Sequence, residues 1–214
     1  MELVTLITGP IDVNTYILFG REPGKCLLVD PSDAALVEAE LTRRALVPTH
    51  ILVTHGHFDH VLAVAELQQK YAAGVLVHRA DAALLSYPEL GLAMFPGVRV
   101  KPCEPDLLLD GEETLSLAGF EVDVLHTPGH SKGSVCYLVK EAGLIFCGDT
   151  LFRLSAGRTD LPGGDASELY RSIKNELFAL AGDYDLYPGH SRKSTLEFER
   201  QHNPFMKHGG PLAW

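Results

Sequence analysis

The feature that most constrains this chain is the stretch Thr54-His55-Gly56-His57-Phe58-Asp59-His60. An apolar run, Ile51-Leu52-Val53, precedes it and reads as a buried strand. Residues 61–71 follow and read as a helix. Three imidazoles and a carboxylate thus crowd a strand exit, where the backbone holds side chains firmly. Imidazole and carboxylate are the usual nitrogen and oxygen ligands of zinc and similar metals. With 10 His in 214 residues, His-x-His-x-Asp-His arises by chance about once in a thousand such chains. In an extended exit loop His55 and His57 point the same way. Asp59 and His60 lie just beyond, and adjacent residues cannot all reach one small ion. Two divalent ions side by side are therefore expected, zinc first, with iron or manganese as alternatives.

A site of that kind needs a fold large enough to assemble it. The length of 214 residues suits one domain spanning 1–214. The formal net charge is −10, from 18 basic and 28 acidic residues, which argues against a nucleic-acid or anionic-membrane surface. Cys26, Cys103, Cys136 and Cys147 form no Cys-x-x-Cys pair and read as buried free thiols. No apolar stretch reaches membrane-spanning length, and the first twenty residues lack a signal pattern. A soluble cytoplasmic protein is expected; a homodimer is left open.

Along the chain, residues 3–8 and 15–19 flank the turn Gly9-Pro10 and read as a hairpin. Residues 26–29 are a third strand, ended by Asp30-Pro31, with Asp30 read as a turn cap ahead of a place near a site at the strand end. Ser32 or Asp33 caps a helix to about residue 46. After the motif, His60, Val64, Leu67 and Tyr71 share one helix face, and Gly74 ends that helix. Residues 75–77 read as a buried strand and 80–86 as a helix. Residues 87–105, with Pro88, Gly91, Pro96, Gly97 and Pro102, read as a long irregular excursion of the kind that lines sites. Short strands are expected at 107–109, 113–117, 121–125, 134–139 and 144–147, then a Gly- and Asp-rich loop over 153–165. Asp165 with Glu168 resembles a capping box, ahead of a helix with the stripe Tyr170, Ile173, Leu177 and Leu180. Residues 186–187 form a last strand and 194–202 a last helix. Both halves run strands first and helix last. That fits two similar layers, each a sheet with outer helices, packed face to face.

Three further segments place a ligand-type residue after Gly, just past an apolar strand. They are Thr127-Pro128-Gly129-His130, Gly148-Asp149-Thr150 and Tyr187-Pro188-Gly189-His190. Each is a weak signal alone. Joined to the opening motif they resemble the metallo-β-lactamase superfamily, and within it the glyoxalase II group of thioester hydrolases. The run Gly157-Arg158-Thr159-Asp160 and the tail from Ser194 to Phe205 resemble the short, single-domain bacterial branch of that group. The resemblance covers nearly the whole chain, to about Phe205. It implies an α/β fold, a four-layer αββα sandwich. It implies that His55, His57 and His130 bind a first metal, that Asp59, His60 and His190 bind a second, and that Asp149 bridges them.

Two divalent ions about 3.5–4 Å apart can share a water and lower its pKa to near 7. The hydroxide so formed suits attack on a small thioester, whose thiolate leaves readily. Asp59 is the candidate catalytic residue, binding metal and orienting that nucleophile. Arg153, Arg158, Arg192 and Lys193 flank the candidate ligands and are candidates for holding a substrate carboxylate, beside surface solvation or an internal Arg158–Asp160 pair. His126 is a candidate neighbour of the ligands or a structural histidine. No Gly-x-Ser-x-Gly elbow or Walker loop is present. Longer glyoxalase II enzymes carry a helical extension that helps hold glutathione, and their last histidine is commonly followed by Glu-Tyr-Thr. Here 24 residues follow His190, beginning Ser191-Arg192-Lys193. Many relatives have Gly-Gly where this chain has Leu62-Ala63. The expected substrate is S-lactoylglutathione or a related acyl-thiol. The alternative is a one-iron persulfide dioxygenase of the same superfamily, and weaker ones are hydrolysis of another ester, a lactone or a nucleic acid.

Overall fold

Alternation of side chains along the strands explains the architecture. In Val13–Phe19 (β2) Ile17 faces one way while Tyr16 and Leu18 face the other, and all three are buried. A strand buried on both faces must lie inside a layered structure. The computed structural model describes residues 1–92, 95 and 97–207. Pro96, part of the expected excursion, lies outside the described residues.

The first sheet holds Glu2–Thr8 (β1), β2, Lys25–Val29 (β3), Val47–Leu52 (β4), Gly74–His78 (β5) and Leu107–Leu109 (β6), in that order. β1, β2 and β3 pair antiparallel, and β3 to β6 run parallel. The second sheet has Thr114–Leu117 (β7), Phe120–His126 (β8), Val135–Val139 (β9) and Leu144–Gly148 (β10). Leu151–Phe152 (β11) and Ser155–Ala156 (β12) form a separate small hairpin. Asp185–Pro188 (β13) and Ser194–Thr195 (β14) complete the second sheet, whose order is β14-β13-β10-β9-β8-β7. Between the sheets lie Tyr16, Leu18, Leu27 and Leu76 from one and Phe120, Val122, Tyr137 and Phe146 from the other.

The outer faces are covered by helices. Ala34–Arg44 (α1), Phe58–Val61 (α2) and Val64–Tyr71 (α3) lie on the first sheet, burying Val37, Leu41, Val64 and Leu67 against Ile17, Leu28 and Val75. Ala82–Ser86 (α4) follows β5. Ala166–Ser172 (α5), continued by a π turn over Ile173–Leu177, packs Leu169, Ile173 and Leu177 on Cys136, Leu138 and Ile145. Leu196–His202 (α6) and Pro204–Lys207 (α7) close that layer through Leu196 and Phe205. The result is the expected α/β sandwich of four layers, αββα. No helix among the described residues is long and apolar enough to cross a membrane.

Several boundaries differ from the sequence reading. The helix expected over 61–71 is two helices, because the Ala63 amide leaves the helical ladder and donates to Pro31 O at 3.1 Å. His60 therefore sits on the short α2, not on the same helix as Val64. α3 is ended by Ala72 in the left-handed region (φ 52°), and Gly74 already belongs to β5. Asp33 caps α1 by accepting from Leu36 N at 3.0 Å. Asp165 accepts from Ser167 N and Glu168 N. The reciprocal half of a capping box is missing, since Asp165 N donates to Gly129 O at 2.8 Å. That bond ties α5 to the loop carrying His130.

Candidate metal centre

Every candidate ligand follows the C-terminal end of a strand, and all these ends lie at one edge of the sandwich. His55 and His57 follow β4, His130 follows β8, Asp149 follows β10 and His190 follows β13. Backbone bonds sew the two sheets together there. Val135 N donates to Thr54 O at 2.9 Å and Asn14 N to Gly189 O at 2.7 Å, while within the second sheet Gly189 N donates to Gly148 O at 2.8 Å. Gly189 is required by contact: a Cβ there would collide with Asp149 Oδ1 and His60 Cε1. Gly148 has φ +46°, and a Cβ there would collide with Thr54 Oγ1.

The seven predicted donors converge into two groups. His55, His57 and His130 offer nitrogens within 4.8 Å of one another, as do the donor atoms of Asp59, His60 and His190. His130 Nε2 is 2.9 Å from His57 Nδ1 and 3.2 Å from His55 Nε2. Asp59 Oδ2 lies 3.3 Å from His60 Nε2 and 3.2 Å from His190 Nε2. Asp149 stands between the groups, with Oδ1 3.5 Å from His60 Nε2 and Oδ2 3.5 Å from His130 Nε2.

The partners on the far side of each ring say which nitrogen carries hydrogen. His130 Nδ1 is 2.8 Å from Arg158 O, a carbonyl, so Nδ1 donates and Nε2 presents a lone pair. Thr54 Oγ1 donates to Asp30 Oδ2 at 2.6 Å and so accepts from His55 Nδ1 at 3.1 Å. His60 Nδ1 faces Asp30 Oδ2 at 2.9 Å. The near nitrogens of His55 and His130 are therefore lone-pair donors pointed at each other, a repulsive arrangement that a cation relieves. His60 Nε2 and Asp149 Oδ1 are buried with no hydrogen-bond partner, which a well-satisfied polar cluster would not leave. The donor set of imidazoles and carboxylates fits zinc or iron.

Electrostatics separate the two groups. Burial, reinforced by the neighbouring imidazoles, holds His55 well below the ordinary histidine range and pushes His57 down to about 3. Burial also opposes the charged form of His60, but the Asp59, Asp149 and Asp30 carboxylates outweigh it and raise its pKa. His190 is raised in the same way by its bond to Asp59 and by Asp149, against burial. Burial acts to raise Asp59, and the His60 and His190 rings overcome it, holding the carboxyl well below the usual range.

Two buried carboxylates that the sequence reading left out of the site hold it in place. Asp30, read as a turn cap, instead accepts from Thr54 N at 2.8 Å, Thr54 Oγ1 and His60 Nδ1, with its backbone left-handed at φ 48°. Asp81 accepts from Gly56 N at 2.9 Å, Ser131 Oγ at 2.6 Å and Gly133 N at 2.8 Å. It thereby clamps the loop carrying His55 and His57 to the loop carrying His130. The signal available was position: Asp30, His55 and Asp81 each lie just past one of three adjacent parallel strands, β3, β4 and β5. A third carboxylate, Glu199 of α6, accepts from Leu154 N, Ser194 Oγ and Asn203 Nδ2 and fixes the β11–β12 hairpin.

The donors open into a cleft of about 430 Å³. Of the four candidate substrate cations, only Arg158 lines it, and its guanidinium engages Asp160 at 2.7 Å through both Nε and Nη2. Arg153 lies over the Phe198 ring at 4.2 Å. Arg192 and Lys193 line a different cavity beside Tyr16 and Tyr187, and Lys193 reaches Asp185 at 3.2 Å. His126 is in neither donor group and stacks on His78 at 4.0 Å between ring centres.

A two-sheet sandwich with outer helices and a His- and Asp-lined edge is the frame of a metallo-hydrolase. The metallo-β-lactamase superfamily model matches residues 8–190, and the chain belongs to that superfamily. Among curated proteins it is 36% identical over 200 residues to the probable metallo-hydrolase YqgX of Bacillus subtilis, covering 92% of this chain and 94% of that one. It is 35% identical over 159 residues to the hydroxyacylglutathione hydrolase GloC of Haemophilus influenzae, covering 73% and 74%. Among solved structures, BLEG-1 B3 metallo-β-lactamase superposes with a TM-score of 0.91 at 36% identity over 96% of this chain and 99% of that one. TTHA1623 in a di-iron-bound form gives 0.83 at 36% identity over 96% and 100%.

Proposed function

We propose that this metallo-hydrolase cleaves small acyl thioesters in the manner of glyoxalase II, with two divalent ions, zinc first and iron next. The observation that carries the reading is the pair of three-donor groups joined at Asp149, at the floor of a cleft whose wall is mostly apolar. His55, His57 and His130 would hold one ion, Asp59, His60 and His190 the other, with Asp149 shared. When bound, such ions supply an ionised water at neutral pH and a positive centre for the oxyanion of an attacked carbonyl.

The chain's own residues do the rest. Asp30 and Arg158 O fix the rings of His60 and His130 from behind, so their near nitrogens stay aimed. Asp59 meets His60 and His190 through Oδ2, leaving Oδ1 to accept a hydrogen from the attacking water and orient it. Outside the donor groups, Ser155 and Arg158 are the polar side chains of the cleft wall among the described residues. Neither is placed as a strong acid. That suits a thiolate, which departs unprotonated, better than an amine. The similarity to GloC supports the same substrate class.

The test is metal analysis of protein purified without added metal, then thiol release from S-lactoylglutathione and other acyl-thiols. A β-lactam and glutathione persulfide with an oxygen electrode complete the set. Two ions per chain and thiol release are expected, both abolished by Asp149→Ala. Oxygen uptake on the persulfide, or cleavage of the β-lactam alone, would assign a different reaction.

A further inference from the structure

The cleft wall is more apolar than seven polar donors require. Ile11, on the β1–β2 turn, is 49% exposed and Leu90, in the 87–105 excursion, is 59% exposed, and both line the cleft. The Phe58 and Phe95 rings, 4.5 Å apart between centres, line it too. Phe152 and Leu161 face in from the 151–165 segment. Four separate stretches of chain therefore bring large apolar side chains to one opening, in a protein of net charge −10. Apolar surface gathered in this way around a site is the mark of a ligand that covers it.

Charge is arranged to the opposite effect. Arg158 is the only charged side chain lining the cleft outside the donor groups among the described residues, and its Nε and Nη2 engage Asp160, whose carboxylate offsets its charge. Ala93, Met94 and Pro96, outside the described residues, carry no charge. Arg153, Arg192 and Lys193 lie elsewhere. Among the described residues, a substrate carboxylate at this wall would find only a cation already paired with a carboxylate, and a small hydroxyacyl group would bury little of the apolar wall. Cellular thiol carriers are polar, so the apolar part of an acyl-thiol is its acyl chain.

We propose that the cleft selects acyl groups that are apolar and uncharged, aliphatic chains of several carbons, over lactoyl or other small polar acyl groups. This rests on the thioesterase reading and can fail separately from it. The experiment uses metal-loaded protein and thioesters of one uncharged thiol, N-acetylcysteamine, with acetyl, butanoyl and hexanoyl groups, beside S-lactoylglutathione. In parallel, calorimetry measures binding of the S-butyl and S-hexyl thioethers of the same thiol, which cannot be hydrolysed. We expect kcat/KM to climb by up to about fourfold per added methylene, and thioether affinity to rise with length. Leu90→Glu places a charge on an exposed wall position and should cut both for the hexyl compounds by about tenfold or more. A flat or falling series, or S-lactoylglutathione as the better substrate, overturns the inference and leaves the thioesterase reading standing. Length-dependent thioether binding lost in Leu90→Glu, with no thioester cleaved, supports the inference and removes the thioesterase reading. No binding of either thioether overturns the inference.

Discussion

Replacing Asp81 with Ala removes a group that never touches the donor atoms, so its consequences measure how far the site depends on its loops. The carboxylate is 2% exposed and takes three donors, Gly56 N, Ser131 Oγ and Gly133 N. Ser131 Oγ keeps a second partner, Ser134 Oγ at 2.8 Å. The amides of Gly56 and Gly133 do not gain one. Each orphaned buried donor costs about 1–3 kcal/mol, and a bond to a charged acceptor is worth about 1.5–3 kcal/mol. Water entering the space left by the side chain returns part of that. The expected loss is about 4 kcal/mol, which for a domain of this size lowers Tm by about 8–16 °C. Urea unfolding in excess chelator reads the loss as a lower midpoint at constant slope. A competitive metal titration should show affinity reduced by about tenfold, because the two loops are no longer clamped together. Asp81→Asn, able to keep the acceptor shared by Gly56 and Ser131, should lose about half as much. A loss below about 1 kcal/mol in Asp81→Ala would refute the reasoning.

Other outcomes follow from the same geometry. Asp30→Asn keeps the volume but turns one acceptor into a donor facing Thr54 or His60; metal affinity should fall about 10–100-fold, and unchanged affinity on competitive titration would contradict the role given to Asp30. Because the Asp59, Asp149 and Asp30 carboxylates overcome burial to raise His60, and His190 is raised alongside, metal loading near pH 7 should expel protons. Calorimetry in two buffers of different ionisation enthalpy checks this, and equal heats would count against it. Burial pushes the Cys26 thiol up to about 12 and the Cys103 and Cys136 thiols to about 11. A thiol-specific reagent at pH 8 should therefore label all four cysteines only after unfolding. The sign of the linkage is fixed too. Above pH 9 the unfolded chain loses thiol protons that the folded chain keeps, so stability should decline as pH rises from about 9 to about 11.

The sequence by itself determined the layers and marked the candidate donors. Ligand-type residues after glycines at strand ends, and strands with apolar residues at every position, are local patterns set by the period of two and by glycine's freedom. They needed no knowledge of what lies opposite. The opening stretch contributes four of the seven candidate donors; the other three share one local setting, weak singly, and the family resemblance joined them to it. Only the tertiary structure decided what holds those donors. Asp30 looked like a turn cap because its carboxylate finds Thr54 and His60 through the pairing of β3 with β4, not through its chain neighbours. Asp81 carried no motif at all, since its three partners lie 25, 50 and 52 positions away. Arg153, Arg192 and Lys193 are near the donors in sequence, yet Arg153 lies over Phe198, Lys193 reaches Asp185 and Arg192 lines a different cavity. The helix expected through His60 broke at Ala63 because Pro31 O, from another segment, competes for its amide. Periodicity and composition report what a residue's own stretch of backbone prefers. Hydrogen bonds across the two sheets, and the closing of a cleft from four separate stretches, exist only once the layers are packed.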